Sequence, residues 1–154
     1  MNRLLGLLAV LFCLAAQGAQ DPYDEGADAK GGIRRALSEA SSARARVLLV
    51  FGANWCGDCK VLDLSMKSGT LSPLIAREFR VVKVDVGRYD RNLDVAESYG
   101  VPLKKGIPAV VVLSPANEIL YATRAGELAD ARSMGESGIY EFFKRIADRG
   151  ARGP

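Results

Sequence analysis

At 154 residues, 49% of them hydrophobic, the chain has the size of one domain and enough apolar material for a core that needs no metal or disulfide staple. Its 21 basic and 18 acidic residues leave a formal charge of +3 and form no basic block, which argues against a nucleic-acid partner. There is no histidine, so the usual general base and the commonest metal ligand are both missing and any chemistry must run on other groups.

The chain starts Met1-Asn2-Arg3, continues as an apolar run from Leu4 to Ala16 and closes with Gln17-Gly18-Ala19-Gln20. A basic start, a hydrophobic middle and a small-residue end make residues 1–19 a secretory signal peptide by layout, cut after Gly18 or Ala19. The run is shorter than the roughly 20 residues a membrane anchor needs. Phe12, before Cys13, does not resemble the small-residue box of a bacterial lipoprotein signal. The expectation is an exported protein, periplasmic in a Gram-negative bacterium, with no stable membrane insertion after leader removal.

Residues 20–27 are polar, with Pro22 and Gly26, and read as a flexible mature N-terminus ahead of a domain over 28–149. Ile33, Ala36, Leu37 and Ala40 fall at helical spacing. Val47-Leu48-Leu49-Val50-Phe51, closed by Gly52, reads as a strand buried on both faces. A helix follows from Cys56 through Val61, Leu62, Leu64 and Met66 to the break at Ser68-Gly69, and Ser72-Pro73 opens a shorter one through Phe79. Arg80 to Val86 is a β-branched strand, and Asn92 to Tyr99 a short helix ended by Gly100. Ile107 to Leu113 and Glu118 to Thr123 read as a hairpin across Ser114-Pro115-Ala116-Asn117. A last helix runs from about Ser137 to Arg149, before a flexible tail over 150–154. This order predicts an α/β fold, a central mixed sheet with helices on both faces, its central strands parallel and its edge antiparallel.

With Cys13 leaving in the leader, two of the three cysteines remain, spaced as Trp55-Cys56-Gly57-Asp58-Cys59-Lys60. A structural disulfide across so short a loop adds little chain-entropy stabilisation. Structural zinc needs four ligands where this chain offers two, and c-type haem needs a histidine where Lys60 stands. A reactive dithiol at a strand-to-helix junction is the better reading, because the helix start makes a thiol acidic. No metal and no cofactor is expected.

Val47 to Lys60, the strand Val81 to Val86, and Tyr99-Gly100-Val101 followed by Gly106-Ile107-Pro108 resemble thioredoxin, in the same order, over about residues 46–148. The resemblance implies a thioredoxin fold with Pro108 cis against the dithiol, although an ordinary trans proline at a strand start fits the residues alone. It implies Cys56 as the exposed attacking thiol and Cys59 as the buried resolving one, with Ile107 and Pro108 presenting backbone to substrate. Trp55 forms an apolar rim or joins the core, Gly57 leaves the sulfur uncrowded, and Lys60, Lys104 and Lys105 favour the thiolate if they face it. Three departures stand out. Asp58 replaces a proline and is expected to raise the Cys56 pKa. Val50 stands where thioredoxins carry a buried carboxylate, while the matching Lys83 is kept. Pro102 to Lys105 and Glu127 to Glu136 are longer than the family pattern and suit a partner surface.

The expected activity is thiol-disulfide exchange with cysteine-containing exported proteins, fed by an upstream redox partner protein, with reduction favoured over isomerisation or oxidation. A non-catalytic thioredoxin-fold module or copper(I) carrier is the alternative from another class.

Overall fold

An unbroken run of apolar residues in a strand needs apolar cover on both sides, and strand β1 (Arg46–Gly52) receives it at every position. The computed structural model describes residues 21–151, with side chains through Arg149. The expected leader 1–19 lies outside the described residues. Helix α1 (Ala29–Ala43) precedes β1; α2 (Gly57–Lys67), α3 (Leu71–Glu78), β2 (Phe79–Asp85) and α4 (Leu93–Ser98) follow. A 3-10 turn at Leu103–Lys105 then leads to β3 (Ala109–Leu113), β4 (Ile119–Ala122) and α5 (Ala131–Ala151).

The sheet order is β2-β1-β3-β4. Side chains alternate across it, so Val47, Leu49 and Phe51 join Ile33, Ala36 and Ala40 of α1 in one core, while Leu48 and Val50 join Leu62, Leu71, Ile139 and Phe143 in a second. Helices therefore cover both faces of a mixed sheet, as the resemblance implies. Strand β1 runs parallel to β2 and antiparallel to β3, so the expected run of parallel central strands is corrected to one parallel pair, with β2 at the edge. The chain turns over between α4 and β3, which reverses the second half of the sheet.

Four boundaries move for local reasons. The expected flexible segment 20–27 is tied down from Asp21 onward: Tyr23 is buried, its N–H donates to Asn54 Oδ1 at 3.0 Å, and Asn54 Nδ2 donates to its carbonyl at 2.9 Å. Helix α1 takes Asp28 as N-cap, its carboxylate accepting from the Gly31 N–H at 2.9 Å. Helix α3 begins at Leu71 rather than at Pro73, which falls in its first turn where its missing N–H costs nothing. The last helix begins at Ala131, breaks at Gly135 (φ 65°, ψ 174°) and runs on to Ala151, past its expected end at Arg149; the rest of the expected tail lies outside the described residues. The expected start at Ser137 marks the second piece.

Arg46 anchors the far end of β1. Its guanidinium donates to the carbonyls of Ile146 and Ala147, at 3.2 and 3.0 Å, pairs with Glu78 at 2.7 Å and lies 4.9 Å from the centre of the Phe79 ring. One side chain thereby ties α5, α3 and β2 to β1. Arg46→Ala is expected to cost about 3 kcal/mol, because it strips two carbonyls and a half-buried carboxylate of their donor. Val81→Ala on the exposed side of β2 should cost under about 1 kcal/mol. Urea denaturation of the two variants measures the contrast.

Candidate active site

The segment after Gly52 leaves the sheet, and α2 begins at once. Cys56 is its N-cap, with extended backbone (φ −81°, ψ 112°), and Sγ accepts the Cys59 N–H at 3.1 Å. A side-chain acceptor at an N-cap meets one of the helix's unpaired N–H groups, and here the acceptor is sulfur. Cys56 and Cys59 are joined as a disulfide, with Cα atoms 5.2 Å apart. The Ile107–Pro108 peptide bond is cis, and the Ile107 carbonyl oxygen lies 3.6 Å from Cys56 Sγ. An oxidised sulfur carries no proton, so this is a contact and not a hydrogen bond. Ile107, buried like Pro108 beside it, thus lies against the disulfide at Cys56.

The expected exposed Cys56 is corrected in degree: it is 5% exposed and Cys59 0%. The cover of Ile107-Pro108 explains the low value, and the remaining opening is at Cys56. Trp55 is half exposed and stands at the rim, its Nε1 donating to the Gly87 carbonyl at 2.8 Å and its ring edge-on to Tyr89 at 6.0 Å. Tyr89 leads into an apolar cleft of about 870 Å³, lined also by Leu93, Ala96, Val101, Leu103 and Lys104. Pro102, Leu103 and Lys104 of the long Pro102 to Lys105 stretch thus form a wall of this cleft.

The charged residues sit differently from expectation. Asp58 is buried, and its carboxylate accepts the Arg132 N–H at 2.9 Å and pairs with the Arg132 guanidinium at 3.1 Å. Burial works to raise its pKa, but the Arg132 amide and guanidinium together hold it below the usual carboxylate range. Its charge is paired with Arg132 of α5, a partner the expectation of a charge acting on Cys56 did not include. Lys60 faces Asp21 at 3.5 Å. The long Glu127 to Glu136 segment supplies Arg132 to this pair and fully buried Leu128 and Ala131 to the core, so much of it serves the inside of the molecule.

Two residues that sequence reasoning did not single out lie behind the dithiol. Asp63, one turn after Cys59, is buried and pairs with Lys83 at 2.9 Å and Lys67 at 2.7 Å. Strand register sets Val50 beside Lys83, so the lysine kept from the family pattern meets a carboxylate supplied by α2 instead of β1. The signal was present as an acid at the i+4 position from Cys59. It was hidden because Leu64 next to it, apolar but 67% exposed, blurs the helical pattern. The second residue is Tyr23, from the segment expected to be loose.

The site's setting is matched elsewhere. A family model described as thioredoxin-like matches residues 28–115. The crystal structure of a disulphide isomerase from Xylella fastidiosa Temecula1 superposes with a TM-score of 0.81 at 48% identity, covering 84% of this chain and 98% of that one. A mutant thioredoxin from Halobacterium salinarum shares 24% identity over 72% of this chain and 82% of its own, with a TM-score of 0.46. Trichomonas vaginalis thioredoxin shares 28% over 69% and 86%, with a TM-score of 0.42. Comparison with curated protein sequences finds no match.

The Asp63 pairing sets a pH dependence. Burial works to raise the Asp63 pKa, yet the bonds and charges of Lys67 and Lys83 outweigh it and leave the pKa below its ordinary 3.8. A carboxylate depressed in the folded state stabilises the fold above its unfolded pKa and loses that contribution as pH falls through the folded value. Asp63→Asn, which leaves the half-buried Lys83 without its counter-charge, should cost about 2 kcal/mol at neutral pH. The difference from the unsubstituted protein should shrink below about pH 4. Urea midpoints across pH read both effects.

Proposed function

The chain belongs to the thioredoxin-like family, and from that footing we propose that it exchanges disulfides with cysteine-containing protein substrates, working from its reduced form as a reductant. It is a thioredoxin-like oxidoreductase with a disulfide-capable pair, Cys56 and Cys59. The observation that carries the reading is the position of Cys56, N-cap of α2 and in contact with the Ile107-Pro108 turn.

In the forward direction the Cys56 thiolate attacks a substrate disulfide, forming Cys56–S–S–R and releasing the other substrate sulfur. The α2 amides and helix dipole favour that thiolate. Cys59 then attacks Cys56 Sγ, the Cys56–Cys59 bond closes, and the second substrate thiol departs. Two electrons have passed to the substrate, and an upstream redox partner protein restores the dithiol by the same exchange in reverse. No bound cofactor is needed. An extended substrate segment across Ile107-Pro108 places its apolar side chains toward Trp55 and the Tyr89 cleft, which favours partly unfolded proteins.

Isomerisation is a second reading, favoured by the 48% identity to a protein described as a disulphide isomerase. It uses the same attack by Cys56 but releases the mixed disulfide to another substrate thiol. We also propose that residues 1–19 direct export, on the strength of their layout, with Gram-negative periplasm as the destination.

Three measurements test this. Cys59→Ser should accumulate mixed disulfides with its partners while Cys56→Ser traps almost none; equal trapping sinks the division of roles. Equilibration with glutathione should give a potential close to the roughly −270 mV of thioredoxin, and one close to −120 mV would mark an oxidant instead. Faster reactivation of a scrambled disulfide protein than reduction of insulin would favour isomerisation. For export, the amino-terminal sequence of protein recovered from cell fractions should begin at Ala19 or Gln20, and an intact Met1 in the cytosolic fraction would overturn it.

A further inference from the structure

Tyr23 places a hydroxyl in the core beside the resolving cysteine. The residue is 2% exposed, and Oη meets no hydrogen-bonding group among the described residues. A buried hydroxyl without a partner is costly, on the order of 1–3 kcal/mol, and native proteins keep few of them. Its location is marked by Gly52, the last residue of β1: a Cβ there would collide with Tyr23 Oη and would lie 2.9 Å from Cys59 Sγ. The hydroxyl and the sulfur thus crowd one spot, left open by the absence of a side chain on Gly52.

Tyr23 is held there deliberately by the fold. Its backbone is clamped at both ends by the side chain of Asn54, which lies on the loop leading to Cys56. Behind the ring, Lys83 Nζ lies 5.3 Å from the centroid. The charged groups around this spot are Asp63 on α2, with Lys67 beyond it, and Lys83 and Asp85 on β2. Burial first, then the charges of Asp63 and Asp85, push the Tyr23 pKa far above its ordinary 10.0, so the phenol keeps its proton and stays a donor.

We propose that Tyr23 is the hydrogen-bond donor to Cys59 in the reduced protein, so that a hydroxyl unpartnered in the disulfide form gains its partner when the disulfide opens. The disulfide sulfur of Cys59 is a poor acceptor, a thiol sulfur a weak one and a thiolate a strong one. The donor therefore acts most on the thiolate that must form during resolution. In that step the Cys59–Cys56 bond forms, the bond from Cys56 to the substrate sulfur breaks, and the proton that Cys59 gives up ends on the released substrate thiol. Tyr23 keeps its own proton throughout. The segment before α1 is then part of the redox machinery.

This inference rests on Cys56 attacking and Cys59 resolving. Tyr23→Phe keeps the ring and removes the donor. Expected are a Cys59 thiol pKa about one unit higher, release from a preformed mixed disulfide about threefold slower, since the fewer thiolates are each more nucleophilic, and a glutathione equilibrium shifted toward the disulfide form by up to about tenfold, or about 30 mV. Thermal stability should fall in the reduced protein and hold or rise in the oxidised one. An unchanged Cys59 pKa with equal loss of stability in both oxidation states would overturn the proposal and leave Tyr23 as packing. Should the variant fail to fold, the Tyr23 hydroxyl proton is followed by NMR in the unsubstituted protein: a shift on reduction that moves further as the Cys59 thiol is titrated to the thiolate supports the bond, and a resonance unmoved by both overturns it. These readouts use no protein substrate. Failure of insulin reduction or of partner trapping would strike the functional reading and leave them standing.

Discussion

Strand β1 is buried along its whole length, and its continuation must bring a cysteine to the edge of the core a few residues later. Everything around the dithiol follows from that constraint. The chain cannot approach the surface gradually, because a loop in the core would leave backbone groups unpaired. It turns at once into α2, whose first N–H groups are unsatisfied by construction. Cys56 meets one of them as N-cap, so the group that caps the helix is also the one we propose to react. Amides that stabilise a sulfur lone pair stabilise a thiolate more.

The charges near the site leave that effect largely unopposed. Asp58 is neutralised by Arg132, and Asp63 by Lys83 and Lys67. Lys60 pairs with Asp21 at the surface, where solvent screens the pair and it contributes little. Each carboxylate close to the cysteines is thus tied to a cation from another element, α5 in one case and β2 in the other. The result is electrostatic insulation joined to tertiary structure: the pair that shields Cys56 also fastens the short first piece of α5 in place.

Much of this was legible in the sequence, and the reasons for the gaps are physical. The apolar run at Val47 to Phe51, the glycine that ends it and the cysteine spacing are local patterns, read from adjacent residues. The helices of the second core announce themselves by Leu62, Ile139 and Phe143 at helical spacing. Strand direction was misjudged because it is decided by how the chain turns between α4 and β3, which no local pattern encodes. Asp58 was misplaced because its partner Arg132 is far along the chain, on a segment that looked like surface. Tyr23 was missed because a polar stretch with Pro22 and Gly26 reads as loose, and one aromatic ring with two backbone hydrogen bonds is enough to anchor it.

The placement of the buried carboxylate carries a last consequence. Val50 and Lys83 face each other in the β1–β2 register, so a carboxylate on β1 would sit rigidly beside the lysine. Supplied from α2, the carboxylate rides on the same helix as both cysteines, one turn beyond Cys59, with a second lysine, Lys67, one turn further. Any shift of α2 that accompanies opening of the disulfide therefore carries Asp63 with Cys59, whereas Tyr23 is anchored to the loop before the helix and Lys83 to the sheet. The groups behind Cys59 Sγ thus belong to three separately fixed elements, and small movements of α2 change their mutual distances. In a low-dielectric interior such changes alter the energies of charged and hydrogen-bonded groups far more than they would at the surface.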